Sequence, residues 1–175
     1  MHADPQTQPD ARTLRIGLAV SRYHRDVVDS MHRAAVDAFT RAGGDSRTLV
    51  TAFAPGSFEL VAISRALAWR EGSSGEPDLD AIVALGCIIT GQTTHDQYLA
   101  AAVTHGLAEI TVGTGVPIAF GVLTCQNMDQ ARERAGLSPP QPGKPAMNKG
   151  AEAMIAAIEA ANAIRSIQSS SRGGR

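Results

Sequence analysis

The chain has 175 residues, 43% of them hydrophobic and 19% charged, and a formal net charge of −1. That length suits one domain burying about two-thirds of its unfolded surface, and the near-neutral balance offers no electrostatic footprint for nucleic acid or an anionic membrane. No apolar run approaches the roughly 20 residues that span a bilayer, and the two cysteines, Cys87 and Cys125, have the spacing of neither a redox pair nor a metal site, so they read as buried thiols.

Residues 1–13 read as a flexible arm, polar and without the apolar core of a secretory signal, so the expected compartment is the cytoplasm. Leu14–Val20 alternates and then runs apolar, a first strand. In Asp26–Ala42, the residues Val27, Met31, Ala34 and Ala38 fall on one helical face, and Gly43-Gly44 stops the helix. Thr48–Phe53 makes a second strand, broken by Pro55-Gly56, and Ser57 is placed to cap a helix running to about Arg70.

A Gly/Ser/Pro loop, Glu71–Leu79, leads into the apolar run Ala81–Ile89, a buried third strand. Thr94, with Gln97 three positions on, forms a Thr-x-x-Gln capping box. The helix it opens carries Leu99, Val103, Leu107 and Ile110 on one face and ends at Gly113-Thr-Gly115. Val116–Thr124 is a fourth strand and Met128–Ala135 a short helix. Gly136–Met147, with four prolines and two glycines, is a loop. A last helix runs from about Lys149 to Ile167 and residues 168–175 fray, which leaves a single domain at 14–167.

Strands alternating with helices imply βαβ units and a parallel sheet, and right-handed crossovers put helices on both faces. The expected fold is therefore an α/β three-layer sandwich, a flavodoxin-like four-stranded parallel sheet. Ligands in such sheets bind beyond the carboxyl ends of the strands. The turns after Val20, Phe53, Ile89 and Thr124 converge there, bringing Tyr23, residues 56–59, residues 92–95 and residues 125–128 together.

At that edge the backbone N–H groups of Gln92 and Thr93 face a positive helix end, where an anion can sit. His95, a residue type that exchanges protons near neutral pH, lies one position past the cap. Each feature also has an ordinary reading: a cap that any helix needs, and a solvated histidine. Glu59 is either a dipole-favoured first-turn carboxylate or an acceptor for ligand N–H groups. Tyr23 and Phe120, two of only seven aromatic residues, either stack on a planar heterocycle or pack. Fourteen of the sixteen basic residues are arginine, which singles out Lys149 in so lysine-poor a chain.

Six segments together resemble the lumazine synthase family: Ser21-Arg-Tyr23, Ala54-Pro-Gly-Ser-Phe-Glu-Leu60, Ala84-Leu-Gly-Cys-Ile-Ile-Thr-Gly-Gln-Thr-Thr-His95, Val116-Pro-Ile-Ala-Phe-Gly-Val-Leu-Thr124, Glu133-Arg-Ala-Gly136 and Asn148-Lys-Gly-Ala-Glu152. The resemblance spans Arg15 to about Ile164. It implies condensation of 5-amino-6-(D-ribitylamino)uracil with 3,4-dihydroxy-2-butanone 4-phosphate to 6,7-dimethyl-8-ribityllumazine, phosphate and water, the penultimate step of riboflavin biosynthesis. It implies no metal and no organic cofactor.

By position, the resemblance assigns Tyr23, Ser57, Phe58, Glu59, Cys87, Ile88, Ile89, Phe120 and Lys149 to the ribitylaminouracil. Gln92, Thr93 and Arg134 go to the butanone phosphate, and His95 to proton transfer. Phe120 and Lys149 would come from a neighbouring subunit of a homo-oligomer, and riboflavin synthase is an expected partner. Thr90 stands where the family commonly has Arg, and His24 where Asn is usual. The link Leu137–Met147 is longer than in members that build icosahedral 60-mers, so a pentamer is expected. Two rivals remain at this point: an archaeal-type riboflavin synthase, which has no phosphate to bind, and a flavin or lumazine carrier without chemistry.

Overall fold

The computed structural model describes residues 9–72, 75, 77–139 and 147–172. Four strands, β1 (Ile16–Ser21), β2 (Val50–Ala54), β3 (Ala81–Ile89) and β4 (Ile118–Cys125), form a wholly parallel sheet in the order β2-β1-β3-β4. The helices are α1 (Arg25–Arg41), α2 (Leu60–Ala68), α3 (His95–Thr114), α4 (Met128–Arg134) and α5 (Lys149–Arg172). β3 lies between β1 and β4 and is covered on both faces, which is why its sequence runs apolar rather than alternating.

Ala81, Val83, Leu85 and Cys87 face a layer made by α1, α4 and α5, whereas Ile82, Ala84 and Ile88 face α2 and α3. The three-layer sandwich expected from the sequence is the one observed. Full burial of each Leu or Ile in these layers contributes about 1.5–3 kcal/mol. Where α5 crosses α1 the approach is so close that only glycine fits: a methyl group on Gly150 would lie 2.1 Å from the carbonyl oxygen of Met31. None of the described helices is long and apolar enough to cross a membrane.

Several local expectations are corrected by the backbone. Ser57 does not cap α2, which begins at Leu60 behind Glu59, itself in helical conformation and without a side-chain cap bond. The Ser57 hydroxyl instead donates to the carbonyl of Cys87 at 3.4 Å. The Thr94–Gln97 capping box does not form: Thr94 sits at φ −78°, ψ 10° and its side chain makes no cap bond, since a capping side chain needs the extended backbone that Thr94 lacks. In α1 the core-facing small residue is Ala35 rather than Ala34. The second strand begins at Val50, because Ser46–Thr48 form a 3₁₀ turn capped by the Asp45 carboxylate, which accepts from the Arg47 N–H at 3.0 Å.

Of the expected arm, residues 10–13 dock on the domain: Ala11 is buried, and its N–H donates to the carbonyl of Ala42 at 2.8 Å. α5 continues to Arg172, beyond the expected end at Ile167, with the hydroxyls of Ser169 and Ser170 both donating back to the Ser166 carbonyl at 2.9 Å. Within the link at 137–147, residues 140–146 lie outside the described residues.

The register of the sheet creates the edge that matters for function. β1 pairs with β3 only as far as Val20 opposite Leu85, while β3 and β4 stay paired to Ile89 opposite Cys125. The backbone of β3 from Gly86 to Ile89 therefore overhangs the end of β1 with its β1-side edge free of a strand partner. The turn before α2 closes onto this overhang, and Gly86 permits it: a methyl there would come within 2.9 Å of both Ser57 Oγ and Leu60 Cδ1.

Candidate active site

The parallel sheet places the ends of β1, β2, β3 and β4 on one edge, as the topology argument requires. Tyr23 follows β1 and is 64% exposed, its N–H donating to Ser21 Oγ at 3.2 Å. The next residue, His24, opens α1 in the left-handed region at φ 52° and meets the Tyr23 ring edge-on at 4.5 Å. Histidine and asparagine are among the few non-glycine types enriched in that conformation. His24 is thus a residue the backbone tolerates there, and it gives Tyr23 an aromatic neighbour.

Past β2, Ser57 is buried, Phe58 is exposed with its ring toward solvent, and Glu59 folds its carboxylate back over Gly56. Among the described residues the Glu59 carboxylate has no ion-pair or hydrogen-bond partner, so it is free to accept from a ligand. The β3 overhang offers backbone rather than side chains: Cys87 and Ile88 are buried with their side chains in opposite layers, and Ile89 is half-buried. Burial, with smaller contributions from Cys125 and Asp26, pushes the Cys87 thiol up to about 12. Burial also raises Cys125, against an opposing effect of Arg134. Neither thiol is a nucleophile near neutral pH.

Beyond β3, the residues Gln92, Thr93 and His95 are all exposed. Among the described residues no hydrogen bond engages the N–H groups of Gln92 or Thr93, which leaves them available at the start of a 20-residue helix. One contact here has no sequence signature: Thr90 Oγ1 donates to Asp96 Oδ2 at 2.9 Å, across the turn.

Three of the residues singled out in the sequence line a second surface. Phe120, Arg134 and Lys149 line an open groove of about 400 Å³ beside β4, floored by Gly121–Thr124. Phe120 is level with Ala84 in the sheet, five residues before Ile89. At about 3.3 Å per residue that is roughly 16 Å short of the strand end. Phe120 and His95 of one chain therefore do not share a single contact surface. Arg134 belongs with Phe120 and Lys149, a grouping the sequence reading did not make.

Within α4 the two arginines differ. Arg132 is paired with Asp26 at 3.2 Å, whereas Arg134 donates to the Gln130 carbonyl at 3.3 Å and, among the described residues, has no ion pair. Lys149 is half-exposed and holds Glu152 Oε2 at 2.5 Å. An anion entering the groove meets Arg134 unneutralised and Lys149 shared with a carboxylate.

Comparison with known proteins places these features in context. Residues 13–165 match the family model for 6,7-dimethyl-8-ribityllumazine synthase. The chain is 41% identical to the 6,7-dimethyl-8-ribityllumazine synthase of Thermus thermophilus over 157 residues, covering 90% of this chain and 92% of that protein. It is 40% identical to the protein of that name from Streptomyces coelicolor and 38% identical to the one from Streptomyces avermitilis, in each case over 88% of this chain and 87% of the relative.

Proposed function

The chain belongs to the 6,7-dimethyl-8-ribityllumazine synthase family, and from that premise we propose that its active site is completed between subunits, the strand-end edge of one facing the β4 groove of the next. The reaction joins 5-amino-6-(D-ribitylamino)uracil to 3,4-dihydroxy-2-butanone 4-phosphate and releases the lumazine, phosphate and water. The protein is a homo-oligomeric transferase of riboflavin biosynthesis.

The observation that supports a shared site is the position of Phe120, roughly 16 Å short of the strand end that leads to Gln92, Thr93 and His95, in a groove that it shares with Arg134 and Lys149. Each surface alone is half of a site. The strand-end edge supplies turn amides, a proton carrier and an exposed aromatic ring. The groove supplies the unneutralised cation that a phosphate requires, since helix-end electrostatics by itself contributes only about 0.3–1 kcal/mol.

In this arrangement Tyr23 stacks on the pyrimidine, and the free β3 edge at Cys87–Ile89 bonds the ring through backbone groups. Ser57, Phe58 and Glu59 hold the uracil and its ribityl chain, with Phe120 and Lys149 closing over them from the neighbour. Gln92, Thr93 and the neighbour's Arg134 seat the phosphate. The uracil amine attacks the butanone carbonyl and water leaves as the imine forms. Phosphate is eliminated, and ring closure expels a second water. His95 carries protons between these steps.

Incubating the protein with both substrates should give lumazine fluorescence and inorganic phosphate in equal amounts. A carrier would bind the product and make none. Arg134→Ala should raise KM for the butanone phosphate about 10- to 100-fold with little change in KM for the uracil, as loss of a charge-assisted contact costs about 1.5–3 kcal/mol. Steady-state kinetics with each substrate varied in turn checks this, and an unchanged phosphate KM would remove Arg134 from the site.

For the assembly, the long link at 137–147 favours a pentamer over an icosahedral 60-mer. Light scattering should therefore give the mass of five chains, and a capsid-sized species would refute it. The cytoplasm as compartment and riboflavin synthase as partner belong to the same proposal.

A further inference from the structure

We propose that the Thr90–Asp96 hydrogen bond is a clasp that positions His95 and the Gln92–Thr93 turn for the condensation, an inference that rests on the active-site reading above. Thr90 is delivered by a rigid element: its own N–H still donates to the Cys125 carbonyl at 2.9 Å, extending the β3–β4 ladder by one residue. The four residues that follow, Gly91–Thr94, are exposed. Among the described residues nothing hydrogen-bonds the side chains of Gln92 or Thr93, and Thr94 contributes no side-chain cap. The turn is tied to α3 by a backbone bond from the Gln97 N–H to the Thr94 carbonyl at 3.1 Å.

Across this loose turn Thr90 Oγ1 donates to Asp96 Oδ2 at 2.9 Å and closes a ring around the residues assigned to phosphate and proton transfer. The other carboxylate oxygen, Asp96 Oδ1, is buried and has no hydrogen-bond partner among the described residues. Among the described residues the Thr90 hydroxyl is thus the one hydrogen-bond donor to the Asp96 carboxylate. Without it a poorly solvated carboxylate is left uncompensated and moves toward water. His95 precedes Asp96 directly, so that movement is transmitted to it through one peptide unit. Threonine suits the task because its β-branch restricts χ1 and fixes where the hydroxyl points.

Thr90→Val, which keeps the shape and removes the donor, should lower kcat about tenfold, a modest share of what misplacing reacting groups costs. It should raise KM for the butanone phosphate severalfold and leave KM for the uracil unchanged. Thr90→Ser should recover most of both losses. In a His95→Ala background, Thr90→Val should have no further effect on kcat, because the group it positions is gone.

Wild-type constants for Thr90→Val, a kcat loss that persists undiminished beside His95→Ala, or a loss that serine does not rescue would each overturn the proposal. A wild-type kcat for His95→Ala alone would instead overturn the active-site reading, whatever Thr90→Val does.

Discussion

Gly150→Ala is expected to destabilise the protein by about 3 kcal/mol or more, a large part of the 5–15 kcal/mol that holds a typical domain together. A methyl group at this position would lie 2.1 Å from the oxygen, 2.5 Å from the carbonyl carbon and 2.6 Å from the Cα of Met31. All three are main-chain atoms in the interior of α1, so no rotamer change relieves the overlap. Either α5 lifts off α1 or α1 bends. Met31 and Met154 are both fully buried in the layer that these helices share, and separating the helices opens that layer. Gly113→Ala is the matched control. It lies within α3 with no atom within 4 Å of a new methyl group, so it should be neutral or stabilise by up to about 1 kcal/mol through helix propensity alone. Urea unfolding of both variants separates the two expectations. A Gly150→Ala protein as stable as wild type would mean the α1–α5 contact gives way easily. Any folded fraction of that variant should also bind ligand poorly, because Lys149 opens α5 one residue earlier.

What the sequence made legible follows from which interactions are local. The continuous apolar run at Ala81–Ile89 could only be a strand covered on both faces, and once that strand is central the strand ends and their turns share one edge. Hydroxyl residues at the spacing of Ser57 and Thr94 look like caps, but the Thr94 backbone is not extended and the Ser57 hydroxyl is engaged elsewhere. Ser57 is turned toward the Cys87 carbonyl, 30 residues away, by the approach of the turn to Gly86. Thr90–Asp96 carried no recognisable pattern, since Thr at the end of a strand and Asp in a first helical turn are each ordinary there. The resemblance implied that Phe120 and Lys149 reach the site from a neighbouring subunit, but that Arg134 lies beside them was not legible. That placement depends on the register of β4 against β3, which sets Phe120 level with Ala84, and on α4 and α5 returning to that edge. Family resemblance named Arg134, Phe120 and Lys149; only the tertiary structure puts the three in one groove.

His95→Ala should lower kcat by about 10²- to 10⁴-fold, the range for a group that transfers protons in the transition state. It should leave both KM values near wild type. Turnover should nonetheless remain measurable above the uncatalysed reaction. The nucleophile is a free aromatic amine, the electrophile a ketone and the leaving group a phosphate, so no step depends on His95 alone once the reactants are held together. Orientation of two bound substrates corresponds to effective molarities of order 10⁵ M or more, and removing one exposed side chain leaves that contribution intact. Lumazine formation at saturating substrate, and with each substrate varied in turn, checks all of this for both proteins. Two results are incompatible with the mechanism. A folded, substrate-binding His95→Ala protein with no activity above background would make proton transfer, not proximity, the main source of rate. A variant with wild-type kcat would leave the protons to water or to the departing phosphate, and His95 would then be only the first residue of α3.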